Sequence, residues 1–180
     1  MRINGNTYTA EVTSQDRLKT DNKTPLEIAV DNQDAYAVPF EQDSSAVTSD
    51  FFYLKNTSDR NLKIYKICMQ TITLDVDIAV MIGVTGSPTS GTAITPVNLY
   101  AGGKAADVTC EGKDGDMALT GGSTVDLIYL HQRASGETFT GGTTRDYPAP
   151  ITLPPNTAMV LNVNIDPTAD VDGTLFFYFE

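Results

Sequence analysis

Between Ile72 and Thr85 apolar and polar positions alternate without a break. Ile72, Leu74, Val76, Ile78, Val80, Ile82 and Val84 take every second place, with Asp75, Asp77, Ala79, Met81 and Gly83 between them. A period of two sends successive side chains to opposite faces, so this spacing predicts a core strand with the branched residues on one face. A helix would scatter them around its circumference. The other face begins acidic at Asp75 and Asp77, which reads as a solvated sheet face, and turns more apolar toward Met81.

The flanking chain repeats the strand signal in shorter runs. FFYLKN (51–56) and LKIYKICM (62–69) straddle TSDRN, whose Ser, Asp and Asn side chains favour a turn, and the pair reads as a hairpin. Strict alternation in the second run sets Leu62, Ile64 and Cys68 against Tyr65, Ile67 and Met69. TVDLIYLHQ (124–132) alternates Val125, Leu127 and Tyr129 with Asp126, Ile128 and Leu130. TAMVLNVNI (157–165) places Met159, Leu161, Val163 and Ile165 on one face, and TLFFYFE closes the chain as a last strand. AADVTCEG (105–112) and MALTGG (117–122) are short pieces around the turn KDGD. The Gly/Pro/Ser/Thr-rich connections at 84–98 and 133–150 belong at the ends of the domain.

Residues 1–50 are less patterned. Tyr8, Ala10 and Val12 alternate briefly; LEIAV (26–30) and AYAVPF (35–40) read as short strands, the second weakened by Pro39. About eight or nine strands with turn signals between them, and no helical stretch, predict an all-β fold. The expectation is an antiparallel, jelly-roll-like β-sandwich over 51–180, preceded by an extended N-terminal arm and edge strands over 1–50.

Charge and composition narrow the function. The 180 residues carry a formal net charge of −11, which disfavours nucleic acid and anionic membrane surfaces. Arg60, Lys63 and Lys66 form the densest cationic group and read as a solvated strand face beside Asp59. No run approaches the roughly 18 apolar residues of a membrane helix, and the N-terminus lacks the apolar core of a secretory signal, so a cytoplasmic site of synthesis is expected. Cys68 and Cys110 are then expected as buried free thiols.

Catalytic chemistry is sparse. His131 is the single histidine; a nucleophilic triad would need it with Ser123 or Ser135, and no G-x-S-x-G elbow accompanies either. A strand-end histidine is the plain reading. Zinc would need His131 with Cys68, Cys110 and a carboxylate at none of the usual short spacings. Asp75 and Asp77 are the nearest approach to a glycosidase pair. The sequence predicts no enzyme and no cofactor, with Asp166, Asp170 and Asp172 in DPTADVDG as weak calcium candidates because oxygen ligands cluster there. The aromatic runs Phe51–Tyr53 and Phe176–Phe179 fill both faces of their strands. Phe51, Tyr53, Phe176 and Tyr178 are therefore candidates either for internal packing or for a subunit interface.

Several segments together resemble small β-sandwich head-decoration or cement proteins of tailed bacteriophages. They are FFYLKNTSDRNLKIYKI (51–67), VTGSPTSGTAITPVNLYAGG (84–103), ITLPPNTAMVLNVN (151–164) and GTLFFYFE (173–180). The resemblance covers about 51 to 180. It implies a structural virion protein on the capsid surface, made in the host cytoplasm, that bridges capsomers. Its partners would be the major capsid protein and further copies of itself in a dimer or trimer, without nucleic acid or membrane. Contacts would come from the arm (about 1–30), the connections at 85–100 and 133–150, and the aromatic strands. No family site is carried over. The alternative is a carbohydrate- or receptor-binding module of a fibre or spike, using Tyr100, Tyr129 or Tyr147.

Overall fold

The computed structural model describes residues 2–4, 9–12, 18–20, 23–42, 49–71, 75–89, 91–112, 117–131, 141–165 and 170–180. Ile72–Leu74, residues 43–48, the KDGD segment, Ser135 and Asp166 lie outside them. Strands β1 (Arg2–Asn4), β2 (Thr9–Val12) and β3 (Leu18–Thr20) pair antiparallel in a small sheet of their own. Helix α1 (Pro25–Asp31) leads to β4 (Ala35–Gln42), β5 (Ser49–Asn56), β6 (Leu62–Thr71), β7 (Val76–Thr85), β8 (Thr92–Ala93) and β9 (Val97–Asn98). Then come β10 (Val108–Gly112), β11 (Thr120–Leu130), β12 (Gly141–Leu153), β13 (Ala158–Ile165) and β14 (Val171–Phe179).

Two antiparallel sheets form the sandwich, with orders β11-β7-β13-β5-β10-β8 and β12-β6-β14-β4-β9. Their facing sides supply one core: Val76, Ile78 and Val80 from β7, Met159, Leu161 and Val163 from β13, and Leu175, Phe177 and Phe179 from β14. The alternation in β7 and β13 is therefore the one expected, up to a point. Gly83 adopts φ 72°, a left-handed conformation open to glycine. Beyond it Val84 turns to the outer face and joins Tyr53, Met117, Ala158 and Val160 in a second cluster. The unbroken one-face reading is corrected there.

Bulges correct two more faces. In β6 the register with β14 shifts between Phe176 and Phe177, where Lys66 and then Ile64 are the partners. One residue of β6 is thus extra, and Ile67 and Met69 return to the core beside Leu62 and Ile64, while half-buried Cys68 goes to the outer face. In β5, Leu161 pairs with Phe52 and Asn162 with Asp50, which leaves Phe51 as the extra residue. Phe51 and Phe52 consequently both enter the main core against Phe40, at 6.0 and 4.8 Å between ring centroids.

The expected strand at LEIAV is a helix. Thr24 caps it by accepting from the Glu27 N–H, and the Glu27 carboxylate accepts in return from the Thr24 N–H, a reciprocal capping box with Pro25 in the first turn. The helix lays Ala29 onto Ala35 and Tyr178, covering one end of the outer face of the five-stranded sheet. Pro39 sits inside β4 because β9 reaches only Tyr36 and Ala37. Among the described residues the ladder at Pro39 runs to β14 alone, so the missing N–H need not cost a bond.

Candidate functional site

The connection from β9 to β10 offers the most developed polar scaffold beneath an apolar surface. Asn98 organises it. Its side-chain amide donates to the carbonyls of Gln33 (2.8 Å) and Lys104 (2.9 Å), and its side-chain oxygen accepts from the Tyr100 N–H (2.8 Å). The Leu99 N–H donates to the Ala35 carbonyl at 2.8 Å, which ties the connection to β4. A turn follows, closed by Gly103 N–H to the Tyr100 carbonyl at 2.8 Å, with Gly102 at φ 78° in its third position. Gly103 passes so close to the Asn98 side chain that a Cβ would stand 2.4 Å from it. On this held backbone Val97, Leu99 and Tyr100 project outward, 57, 40 and 47% exposed. Burying such side chains in a partner would remove apolar area from water at about 25 cal/mol per Å². Because the backbone is already held, little ordering entropy would oppose it.

Beneath the connection lies an ion cluster. Arg60 holds Asp34 with two parallel bonds of 2.7 Å, and Lys104 adds a third contact at 2.6 Å. The Arg60 guanidinium also stands 5.0 Å from the ring centroid of Phe179. Asp34 is buried, and Arg60 foremost, with Lys104, holds its carboxyl below the ordinary value of 3.8 against the opposing effect of burial. A lowered carboxyl stabilises the folded chain above its unfolded pKa, and that contribution vanishes as pH falls through the folded value. The melting-temperature difference between the native protein and Asp34→Asn should thus be large at neutral pH and shrink on acidification below the ordinary value of 3.8. A difference that stays constant with pH would show that the Asp34 charge contributes nothing.

The other candidates fall elsewhere. Phe51, Tyr53 and Tyr178 are buried within the chain, in the main core, the outer cluster and the helix contact respectively; Phe176 is half-buried against Tyr65 at 6.0 Å. Lys63 reaches Glu180 at 3.2 Å and Lys66 reaches Asp146 at 3.9 Å, so the expected cationic face is matched by carboxylates of the same chain. Asp170 and Asp172 are half-buried, and Gln70 donates to Asp172 at 3.4 Å. Among the described residues no three His, Cys, Asp or Glu side chains gather as a metal site. His131 is exposed at the end of β11, 3.6 Å from Asp75. Tyr100, Tyr129 and Tyr147 stand on three different elements: the connection after β9, the outer side of β11, and β12.

Cys110 is buried in the main core, where burial pushes its thiol far above the ordinary range. No helix among the described residues is long and apolar enough to cross a membrane. The connection at 85–100 and Tyr100 stand out in the sequence, but Val97 and Leu99 do not, because Pro-Val-Asn-Leu-Tyr sits in a Gly/Thr-rich run. Their outward direction depends on Asn98 finding Gln33, 65 residues away. Compared with family models, with curated proteins and with solved structures, the chain matches none.

Proposed function

We propose that this chain is a non-enzymatic structural virion protein that decorates and stabilises the capsid shell of a tailed phage by bridging capsomers. The observation that carries the reading is the connection after β9, where a backbone held by Asn98 displays Val97, Leu99 and Tyr100 to solvent. It falls in one of the segments on which the resemblance to decoration proteins rests. A rigid sandwich with an apolar loop at its end suits adhesion to a large, preformed surface: the partner gains contact area while the loop loses little freedom.

The test is cosedimentation of the protein with phage heads, comparing the native chain with Leu99→Ser/Tyr100→Ser. The double variant should keep its melting temperature, since exposed side chains contribute little to stability. Its retention on heads should fall by roughly tenfold or more, the loss expected when apolar anchors are truncated. Unchanged retention would remove the loop from the interface.

A second reading, a carbohydrate- or receptor-binding module, is favoured by one feature. A shallow groove of about 380 Å³ on the five-stranded sheet is lined by Gln70, Thr143, Thr144, Asp172 and Thr174 among others, groups that hydrogen-bond hydroxyl-rich ligands. Saturable glycan binding that Thr144→Val weakens would move the assignment to that class.

A further inference from the structure

Among the described residues strand β11 ends its sheet, with β7 on one side only. A terminal strand offers main-chain N–H and C=O groups to any chain that can align with it. At Leu127 both groups are taken by side chains. Its N–H donates to Asp126 Oδ1 at 2.9 Å, and its carbonyl accepts from Arg145 Nη2 at 3.3 Å. Arg145 reaches across from β12 in the opposite sheet and also grips Asp126, Nε to Oδ2 at 2.8 Å and Nη2 to Oδ1 at 3.1 Å. Tyr147 donates to the same carboxylate at 3.1 Å. The three side chains link the two sheets and cover the middle of the edge.

We propose that the β11 edge is a strand-pairing surface for a second copy of this chain, held closed by the Asp126–Arg145 pair. The inference does not rest on the Val97, Leu99 and Tyr100 surface that carries the shell reading.

The occupant is identified by pattern and by charge. Antiparallel pairing about a two-fold axis through Leu127 sets Leu127 opposite its counterpart and brings Tyr129 of each copy to Val125 of the other, the extra residue of the bulge at which the β7 ladder shifts. These are the residues β11 exposes on its outer side, at 45% for Val125, 37% for Leu127 and 55% for Tyr129. Aliphatic–aromatic cross-strand pairs of this kind are favourable. At a net charge of −11 two copies repel over much of their surface. TGGSTVDLIYL carries a single ionised side chain, Asp126, and Arg145 neutralises it. Opening asks only that the ion pair swing away from Leu127; its members can remain bound to each other.

The test is molar mass by light scattering across a concentration series, for the native chain, Asp126→Ala/Arg145→Ala, and that double variant with Leu127→Lys added. The double variant, stripped of both covers without a change in net charge, should form a species of twice the native mass, with a dimer dissociation constant lower by roughly tenfold or more. The triple variant should return to the native mass, because two lysines would face each other on the axis. Asp126→Asn/Arg145→Gln, which removes the ion pair and the Arg145 bond to the Leu127 carbonyl at unchanged net charge, should shift association the same way and serves if the alanine variant does not fold. A native mass for both Arg145 variants at every concentration, or doubling that survives Leu127→Lys, would overturn the proposal.

Discussion

Phe177→Ala should lower stability by about 3–5 kcal/mol, the cost of emptying a fully buried phenyl site. Phe177 has no exposed surface and lies between Tyr36, stacked at 5.2 Å, and Phe179, edge-on at 5.7 Å. Those two rings are 5.9 Å apart and belong to the corner that carries Asp34 and Arg60, so a void there would loosen the base of the β9 connection as well as the core. For a domain of this size the loss corresponds to a melting point lower by roughly 10 °C. Phe176→Ala is the control, since its ring sits half-buried on the outer face. It should cost about 1 kcal/mol, in the ordinary range for a partly exposed position. Denaturant midpoints of the two variants decide the matter. Equal losses would mean that the alternation of β14 has been assigned to the wrong faces.

Asn56→Asp should cost about 2–4 kcal/mol, through groups left unsatisfied rather than through volume. Asn56 is fully buried at the end of β5. Its amide donates to the carbonyls of Arg60 (2.7 Å) and Leu153 (2.9 Å), while its oxygen accepts from the Ser58 N–H (3.0 Å) and hydroxyl (2.7 Å). One side chain thereby closes the β5–β6 turn and fastens it to β12. An aspartate keeps the shape but has no amide protons, and it turns an acceptor toward two carbonyls. Ser58→Ala, which removes one of the four bonds and also the acceptor of the Arg60 N–H at 3.2 Å, should cost about 1–2 kcal/mol. A melting curve for Asn56→Asp that overlays the native one would show the network to be dispensable.

Much of the fold was legible in the sequence, and the misplaced strand faces have a common cause. The alternation of β7 and β13 reads directly because each strand needs one face in the core. The phase changes at Gly83, in the middle of β6 and at Phe51 could not be read. A bulge arises where two strands with their own patterns must align, and neither strand declares it alone. The helix was a different kind of miss: Thr24-Pro25-Leu26-Glu27 spells a capping box, and the apolar run after it hid that signal. Asp34 and Arg60 are 26 residues apart with no motif between them. The cationic group around Arg60 read as a solvated face because carboxylates brought from other strands do not show in a local window. The aromatic runs were recognisable as packing elements, but the β5 bulge decides how Phe51 and Phe52 share the core.

The pinned connection, the ion cluster beneath it and the capped edge of β11 fix backbone and charge at the surface of the domain. Their chemistry is contact area, backbone hydrogen bonds and charge matching.

The most direct test of the proposed decorating role is the amount of native protein that sediments with tailed-phage heads, titrated to saturation and expressed relative to the major capsid protein. Saturation at a fixed, shell-wide ratio to that protein is the predicted result. Absence of binding, or saturation at only a few copies per head, would contradict a decorating role.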